Sequence, residues 1–488
     1  MRKKWVIGLI ICLLIAGFFS TYKLSESPRT WFDEGIFLQI ARNVPLSHGY
    51  TLRVSPTELV PAGVLSTIGF PLVGPLSASF ALFGIGLLQA RVVMVAYILL
   101  MVLMAFFFTK RAWDTRHALW ATLLIATHAP VYGNGKNVLG EVPGLFYFFV
   151  FLFLLTKLER ETKPKTLLWI LTGLAAGLFV ATKSSFILLL PVLGLAFLFL
   201  RKRFAYRWHD LALALGALVL PIAINMVIQF GFSSAIFTSF VSYGSLPGLE
   251  KITGLTLFGL VQKNVLSFFQ QATPAYLLVT LTAWCASVCL RWKRTSPLPL
   301  HEYVSLGFVL LSVAYFLKMP GVFRYLFVAQ VITFPYFIDA CFTLIPSRLG
   351  SWLTKQRMEV ALAISLALLI LFQGYQVLFS SWVAYAYDDT RTRELAATFT
   401  TLDPTQHIFF YHATEAVTFF KGENYSQYFQ LLYYDDAFGK AELVQLQKGV
   451  PDVVIVAGAL ETEAKPWLEQ YQKRTSLDQG SYLIFERQ

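Results

Sequence analysis

Thr30-Trp-Phe-Asp-Glu-Gly-Ile-Phe-Leu-Gln-Ile-Ala-Arg42 sets Asp33 and Glu34 side by side just past the first apolar run of the chain. Flanked by Trp31-Phe32 and Ile36-Phe37, the pair belongs at a boundary between hydrocarbon and water. Partial withdrawal from water there makes a carboxylate a better proton acceptor. An acidic dipeptide alone is more often plain solvated surface, so its meaning depends on what surrounds it.

The surroundings are those of a membrane protein. Of 488 residues, 56% are hydrophobic and only 14% charged, more apolar surface than a single soluble core would bury. The net charge of +12 falls in short basic clusters between apolar runs, which marks topology and excludes a nucleic-acid binder. Cys12, Cys285, Cys289 and Cys341 all lie inside apolar segments and read as packing residues, although Cys285 and Cys289 share a helix face.

Working outward, Met1-Arg-Lys-Lys4 followed by Trp5 to Ser20 has the form of a signal peptide without a clean cleavage site, so a retained first helix is expected. Further apolar runs fall near 87–108, 118–133, 142–157, 166–182, 185–200, 211–229, 274–290, 302–317, 325–345 and 358–380. With the first helix this makes about eleven transmembrane helices. With the amino terminus in the cytoplasm, Lys110-Arg111, Lys157 to Lys165, Arg201 to Arg207, Arg291 to Arg294 and Arg348 to Arg357 all fall on the inside, as basic loops should. Two long outer loops are then expected, near 21–86 and 230–273. The Pro and Gly of Gly63 to Leu76 suggest short interfacial helices in the first.

The transmembrane module is expected to span 1–380 and a small extracytoplasmic α/β domain 381–488. In that domain, strands at His407–Tyr411, Asp452–Ala457 and Ser481–Phe485 alternate with helices near 390–400, 413–421, 438–448 and 460–473. Its sequon, Asn424-Tyr425-Ser426, is short enough to arise by chance.

Charges at a hydrocarbon boundary are costly and therefore informative. Besides Asp33-Glu34, the expected topology places Glu141 (in G-K-N-V-L-G-E-V-P-G), Lys183 (in A-T-K-S-S-F) and Arg324 (in K-M-P-G-V-F-R-Y-L-F) on the same outer face. Singly, Glu141 could serve a helix dipole and the two cations could snorkel to headgroups. Together, carboxylates and cations at one apolar interface suit a site that handles a hydroxyl and a phosphate.

The order of these elements resembles the membrane-embedded GT-C glycosyltransferases, and within them the protein O-mannosyltransferases and lipid A aminoarabinose transferases. The likeness extends broadly to about residue 345. It implies that Asp33 is the principal catalytic carboxylate and that Glu34 orients the acceptor or shares the role. Glu141 matches the second acidic position, which shapes an acceptor or metal site. Lys183, Arg324 and the neighbouring Tyr325 match positions facing a donor phosphate. The resemblance thus implies an α-helical polytopic membrane protein of GT-C-like fold, transferring a hexosyl or pentosyl unit from a polyprenyl-phosphate donor, with inversion, to a hydroxyl of a lipid, glycan or protein acceptor. The setting would be a plasma membrane, the prokaryotic inner membrane on the strength of the short loops. A divalent metal stays open, because no D-x-D or D-x-E pair accompanies Glu141. Trp31, Phe32 and Phe37 could stack on a sugar or anchor the interface.

Two other classes compete. A transporter would also hold charges within its membrane part, but near the midplane and often within an internal repeat. No repeat is evident here. A noncatalytic scaffold would carry the acidic pair only as surface.

Overall fold

The computed structural model describes residues 2–62, 67–161, 165–204, 207–231, 255–293, 298–319, 323–349, 355–429, 450–458, 468–477 and 482–488. Helix α1 (Arg2–Thr21) leads to α2 (Phe32–Asn43), which begins where Trp31 is extended and its backbone N–H donates 3.3 Å to the Glu34 carboxylate three residues on. A hairpin of β1 (Thr51–Ser55) and β2 (Glu58–Pro61) follows, then α3 (Phe70–Phe83). The expected 21–86 loop therefore holds the helix that carries Asp33 and Glu34, a hairpin and one proline-containing apolar helix, not short helices alone.

The bundle continues with α4 (Leu87–Ala112), α5 (Thr115–Thr127), α6 (Ala129–Gly135), α7 (Glu141–Arg160) and α8 (Thr166–Thr182). The run expected as one span over 118–133 is broken: His128 is extended and Pro130 opens α6, since proline suits a first helical turn and not an interior. After a 3₁₀ turn (Ser184–Leu188) come α9 (Leu189–Phe204), α10 (Trp208–Phe230), α11 (Leu257–Gln270), α12 (Ala272–Lys293), α13 (Leu300–Leu317), α14 (Arg324–Leu349) and α15 (Lys355–Tyr375). The second expected loop ends in α11, an amphipathic helix; the remainder of that loop, 232–254, lies outside the described residues. Among the described residues, seven helices are long and apolar enough to cross a bilayer, and four shorter apolar helices accompany them.

Packing sorts the helices into centre and rim. The apolar stretch of α14 is 78% buried within the protein, whereas that of α10 is only 11% buried and turns most of its Leu, Ile and Val outward, as lipid-facing surface does. Helices α8 and α10 touch backbone to backbone: a Cβ at Gly173 or Gly177 would collide with the carbonyls of Ala214 or Leu218. Small residues four apart permit that approach.

A π-helical turn (Gln376–Ser380) and a short helix α16 (Trp382–Tyr385) join the bundle to α17 (Arg391–Thr401), β3 (Ile408–Tyr411), α18 (Thr414–Val417), β4 (Tyr425–Tyr428), β5 (Val453–Ala457), β6 (Tyr471–Leu477) and β7 (Tyr482–Arg487). The sheet order is β4-β3-β5-β7-β6, with β3 parallel to β4 and β5, and β7 antiparallel to β5 and β6. Alternation along the strands feeds two cores. Ile408, Phe410, Val453 and Ile455 join Leu395 and Phe399, while Phe409, Tyr411, Val454 and Val456 join Leu468 and Phe485.

Three expectations for this domain change. The helix over 413–421 is cut to α18; the helix over 460–473 gives way at its end to β6; and β4 was not anticipated. The helix expected near 438–448 lies outside the described residues. The sequon is part of the fold, with Asn424 donating 2.7 Å to the Thr405 carbonyl and Ser426 Oγ 2.9 Å from His407 Nε2.

Candidate active site

Four charged side chains that are far apart in sequence meet at the end of the bundle that carries α2 and the sheet. Arg324 Nη2 lies 2.7 Å from Asp33 Oδ2, and Arg324 Nε lies 3.4 Å from Glu141 Oε1. Lys183 Nζ donates to the same Glu141 oxygen. Two carboxylates and two cations thus form one alternating chain, Asp33-Arg324-Glu141-Lys183. Glu141 and Lys183 are buried, with side chains 3% and 6% exposed, while Asp33 at 27% and Arg324 at 17% open toward solvent.

Each member is delivered by a local device. Asp33 sits in the first turn of α2 and Glu141 in the first turn of α7, where the helix dipole favours an anion. Arg324 opens α14, and its neighbour Tyr325 follows on the same turn. Lys183 leaves α8 in extended conformation and pairs with Ile68 as a short antiparallel bridge, closed by Gly69 N–H to the Thr182 carbonyl (3.1 Å) and Ser184 N–H to the Thr67 carbonyl (2.9 Å). Backbone pairing, not lipid snorkelling, therefore aims this lysine.

A small cavity adjoins the chain of charges, lined by Glu141, Lys183, Arg324 and Tyr325 together with Ser185 and Tyr315. Buried Arg324 Nη1 and Glu141 Oε2 have no hydrogen-bond partner among the described residues, which leaves a guanidinium donor and a carboxylate acceptor free for a polar ligand. The hydroxyls of Ser185 and Tyr315 were not identifiable from sequence, since single Ser and Tyr residues in apolar helices carry no distinguishing pattern.

Glu34 stands apart from this group. Consecutive helical residues point roughly 100° apart, and Glu34 faces inward, fully buried against Arg91. Arg91 Nε and Nη2 reach its two oxygens at 3.2 and 3.1 Å, the Val138 N–H donates 3.1 Å to one of them, and Arg91 also bonds Asn137 Oδ1 (2.9 Å) and the Leu24 carbonyl (2.7 Å). This fork-on-carboxylate arrangement ties α2 to α4 and to the stretch that precedes Glu141. Among the flanking aromatics, Phe37 is core, Phe32 packs edge-on against Phe429, and Trp31 is half exposed.

Asp33 and Glu141 are each engaged with a cationic side chain, and among the described residues no group of three or more His, Cys, Asp or Glu converges.

A family model described as dolichyl-phosphate-mannose-protein mannosyltransferase matches residues 72–226. No match was found among curated protein sequences. ArnT from Cupriavidus metallidurans, solved bound to undecaprenyl phosphate, superposes with a TM-score of 0.66 at 14% identity over 99% of this chain and 98% of that one. Archaeoglobus fulgidus AglB, an oligosaccharyltransferase solved with an inhibitory peptide and a dolichol-phosphate, gives 0.58 at 13% identity over 100% of this chain and 74% of that one. An Archaeoglobus fulgidus oligosaccharyltransferase in complex with Zn and sulfate gives 0.58 at 14% identity, over 98% of this chain and 73% of that one. The chain thus has the fold of these membrane proteins and resembles the GT-C superfamily of glycosyltransferases.

Proposed function

We propose that this protein is an integral-membrane glycosyltransferase that moves a sugar from a polyprenyl-phosphate donor to an acceptor hydroxyl at the outer face of the membrane, with inversion. The single observation that carries the reading is the contact between Asp33 and Arg324, which sets a proton acceptor beside a phosphate-binding cation at the edge of an apolar bundle. The mannosyltransferase family match, and the undecaprenyl phosphate bound by the structurally similar ArnT, support the same chemistry.

In this mechanism the acceptor oxygen attacks the anomeric carbon while its proton passes to the Asp33 carboxylate. The bond from that carbon to the phosphate oxygen breaks, and the phosphate leaves with the electron pair. Arg324 and Lys183 stabilise the charge that accumulates on it, and Tyr325 lines the adjoining cavity. Phosphate is already a good leaving group, so no strong general acid is required. Glu141 holds the two cations at one place by pairing with both. Glu34, with its oxygens committed to Arg91 and Val138, acts as a positioning residue for α2.

The location follows from the chemistry. A lipid-linked donor stays in the bilayer and presents its phosphate at the interface, where a site needs no soluble nucleotide sugar. The acceptor is a lipid, a glycan or a protein.

The test is a mass-spectrometric comparison of glycolipids, glycoproteins and polyprenyl-phosphate sugars in cells carrying the wild-type protein or Asp33→Asn at matched membrane abundance. Loss of one sugar unit from one glycoconjugate, with accumulation of the corresponding lipid-linked sugar, is the expected result and names both substrates. An unchanged profile would remove Asp33 as the base and return the transporter and scaffold readings to the front.

A further inference from the structure

The proposed base is borne by α2, and the outer face of α2 is gripped by the C-terminal sheet domain. Thr414 Oγ1 donates 2.9 Å to the carbonyl of Phe32, the residue before Asp33. Two residues after Asp33, Gly35 lies so close to the Thr414–Glu415 backbone that a Cβ there would collide with it. One turn further, Gln39 Nε2 donates 3.2 Å to the Thr414 carbonyl and Gln39 Oε1 accepts from Gln427 Nε2 at 2.7 Å. At the far end of the helix, Arg42 donates to three consecutive carbonyls, Phe420 (2.7 Å), Lys421 (3.1 Å) and Gly422 (3.0 Å).

These contacts follow the whole length of α2, and they come from two segments, Thr414–Gly422 and strand β4. We propose that the C-terminal domain is the clamp that sets the position of Asp33, with Arg42 and Gly35 as its key positioning residues. The catalytic consequence rests on the glycosyltransferase reading above; the clamp itself rests on the contacts.

The physical argument is one of precision. A helix of three turns is too short to hold its own geometry in water, and a displacement of about 1 Å in a catalytic group lowers turnover roughly 100-fold. The Glu34–Arg91 pair fixes the inner face of α2 to the bundle. The clamp fixes a second side, about 100° round the helix, so that α2 and with it Asp33 are held between two bodies. Three neighbouring carbonyls demand a planar fork of donors, which lysine does not offer. The glycine in D-E-G is thereby explained by close approach of another backbone and not by its own dihedral angles.

The decisive experiment uses the full-length protein in nanodiscs and in cells. Arg42→Gln should speed hydrogen exchange of the amides of residues 32–43 while leaving the affinity for undecaprenyl phosphate, used as the donor-site probe, within about twofold. Sugar transfer in cells, scored per molecule of protein, should fall about 100-fold. In a background with the four native cysteines replaced, Gln39→Cys with Gln427→Cys should restore transfer to Arg42→Gln when the two thiols are bridged by a short bis-methanethiosulfonate, and lose it again on reduction. Unchanged exchange over 32–43 would overturn the clamp whatever the activity. So would lost transfer that bridging fails to restore in a protein that still binds undecaprenyl phosphate. Faster exchange in a protein whose wild type binds no undecaprenyl phosphate and transfers nothing would overturn the glycosyltransferase reading and with it the catalytic role of the clamp, leaving only the docking contact.

Discussion

Neighbouring acidic residues in one helical turn pair with different arginines, Glu34 with Arg91 out of contact with solvent and Asp33 with Arg324 partly open to it, and this separates what each can do. Glu34 is fully buried with Arg91, and a buried pair that loses one partner leaves an uncompensated charge, at a cost of about 3–5 kcal/mol. Arg91→Met should therefore lower thermal stability sharply in detergent, and Arg91→Met combined with Glu34→Gln should recover part of the loss, as a melting curve of the three proteins would show. Asp33 is partly open, so Asp33→Asn should leave that melting temperature within a degree or two while abolishing transfer. At Arg324, Lys is not an equivalent: a point ammonium cannot reach Asp33 and Glu141 and still present a donor to phosphate. Arg324→Lys is expected to reduce sugar transfer at least about tenfold and weaken undecaprenyl phosphate binding, measurable by titration in nanodiscs. Asp33, Glu141, Lys183 and Arg324 were legible in sequence because charges beside apolar runs stand out. Arg91 was not, since a lone arginine one turn into an apolar helix reads as the end of a span until its buried partner is seen.

At the scale of elements, legibility tracked the period of the apolar pattern. The long runs that became α4, α7, α10, α12, α13 and α14 were visible because lipid and core both demand continuous apolar surface. The hairpin β1–β2 and strand β4 are short and lie where two parts of the protein meet. Their partners are far away in sequence, so nothing local announces them. Helix α18 shows how such an interface can carry a titration. Glu415, largely buried where it meets Gly35, has its carboxyl pushed above the usual 4.5 by burial, an effect that hydrogen bonds from Tyr482 and Thr414 only partly oppose. A carboxyl whose folded value is raised binds more protons folded than unfolded, so its contribution to stability is complete below the unfolded value and is lost as pH rises through the folded one. Docking of the C-terminal domain should accordingly loosen as pH rises above about 4.5, seen as faster hydrogen exchange in α18. Glu415→Gln should flatten that dependence; a slope of the opposite sign in the wild type would show that another group governs it.

For the whole molecule, the proposed donor depends on which side of the membrane the site faces. The ends of α4, α7 and α12 carry Lys110-Arg111, Lys157 with Arg160, and Arg291 with Lys293, while Asp33, Glu141, Lys183 and the sheet gather at the opposite end of the bundle. Basic residues are retained in the cytoplasm when the chain inserts, so the charge asymmetry supports the proposed outward-facing site and, with it, the proposed lipid-linked donor. Cysteine labelling tests this directly. With Cys12, Cys285, Cys289 and Cys341 replaced, Glu394→Cys on exposed α17 should react with a membrane-impermeant maleimide in intact cells. Glu161→Cys, exposed just beyond α7, should react only after the membrane is opened. The reverse pattern would place Asp33 in the cytoplasm, where soluble activated sugars are at hand, and the argument for a polyprenyl-phosphate donor would lose its physical basis even with the fold and the ion-pair chain intact.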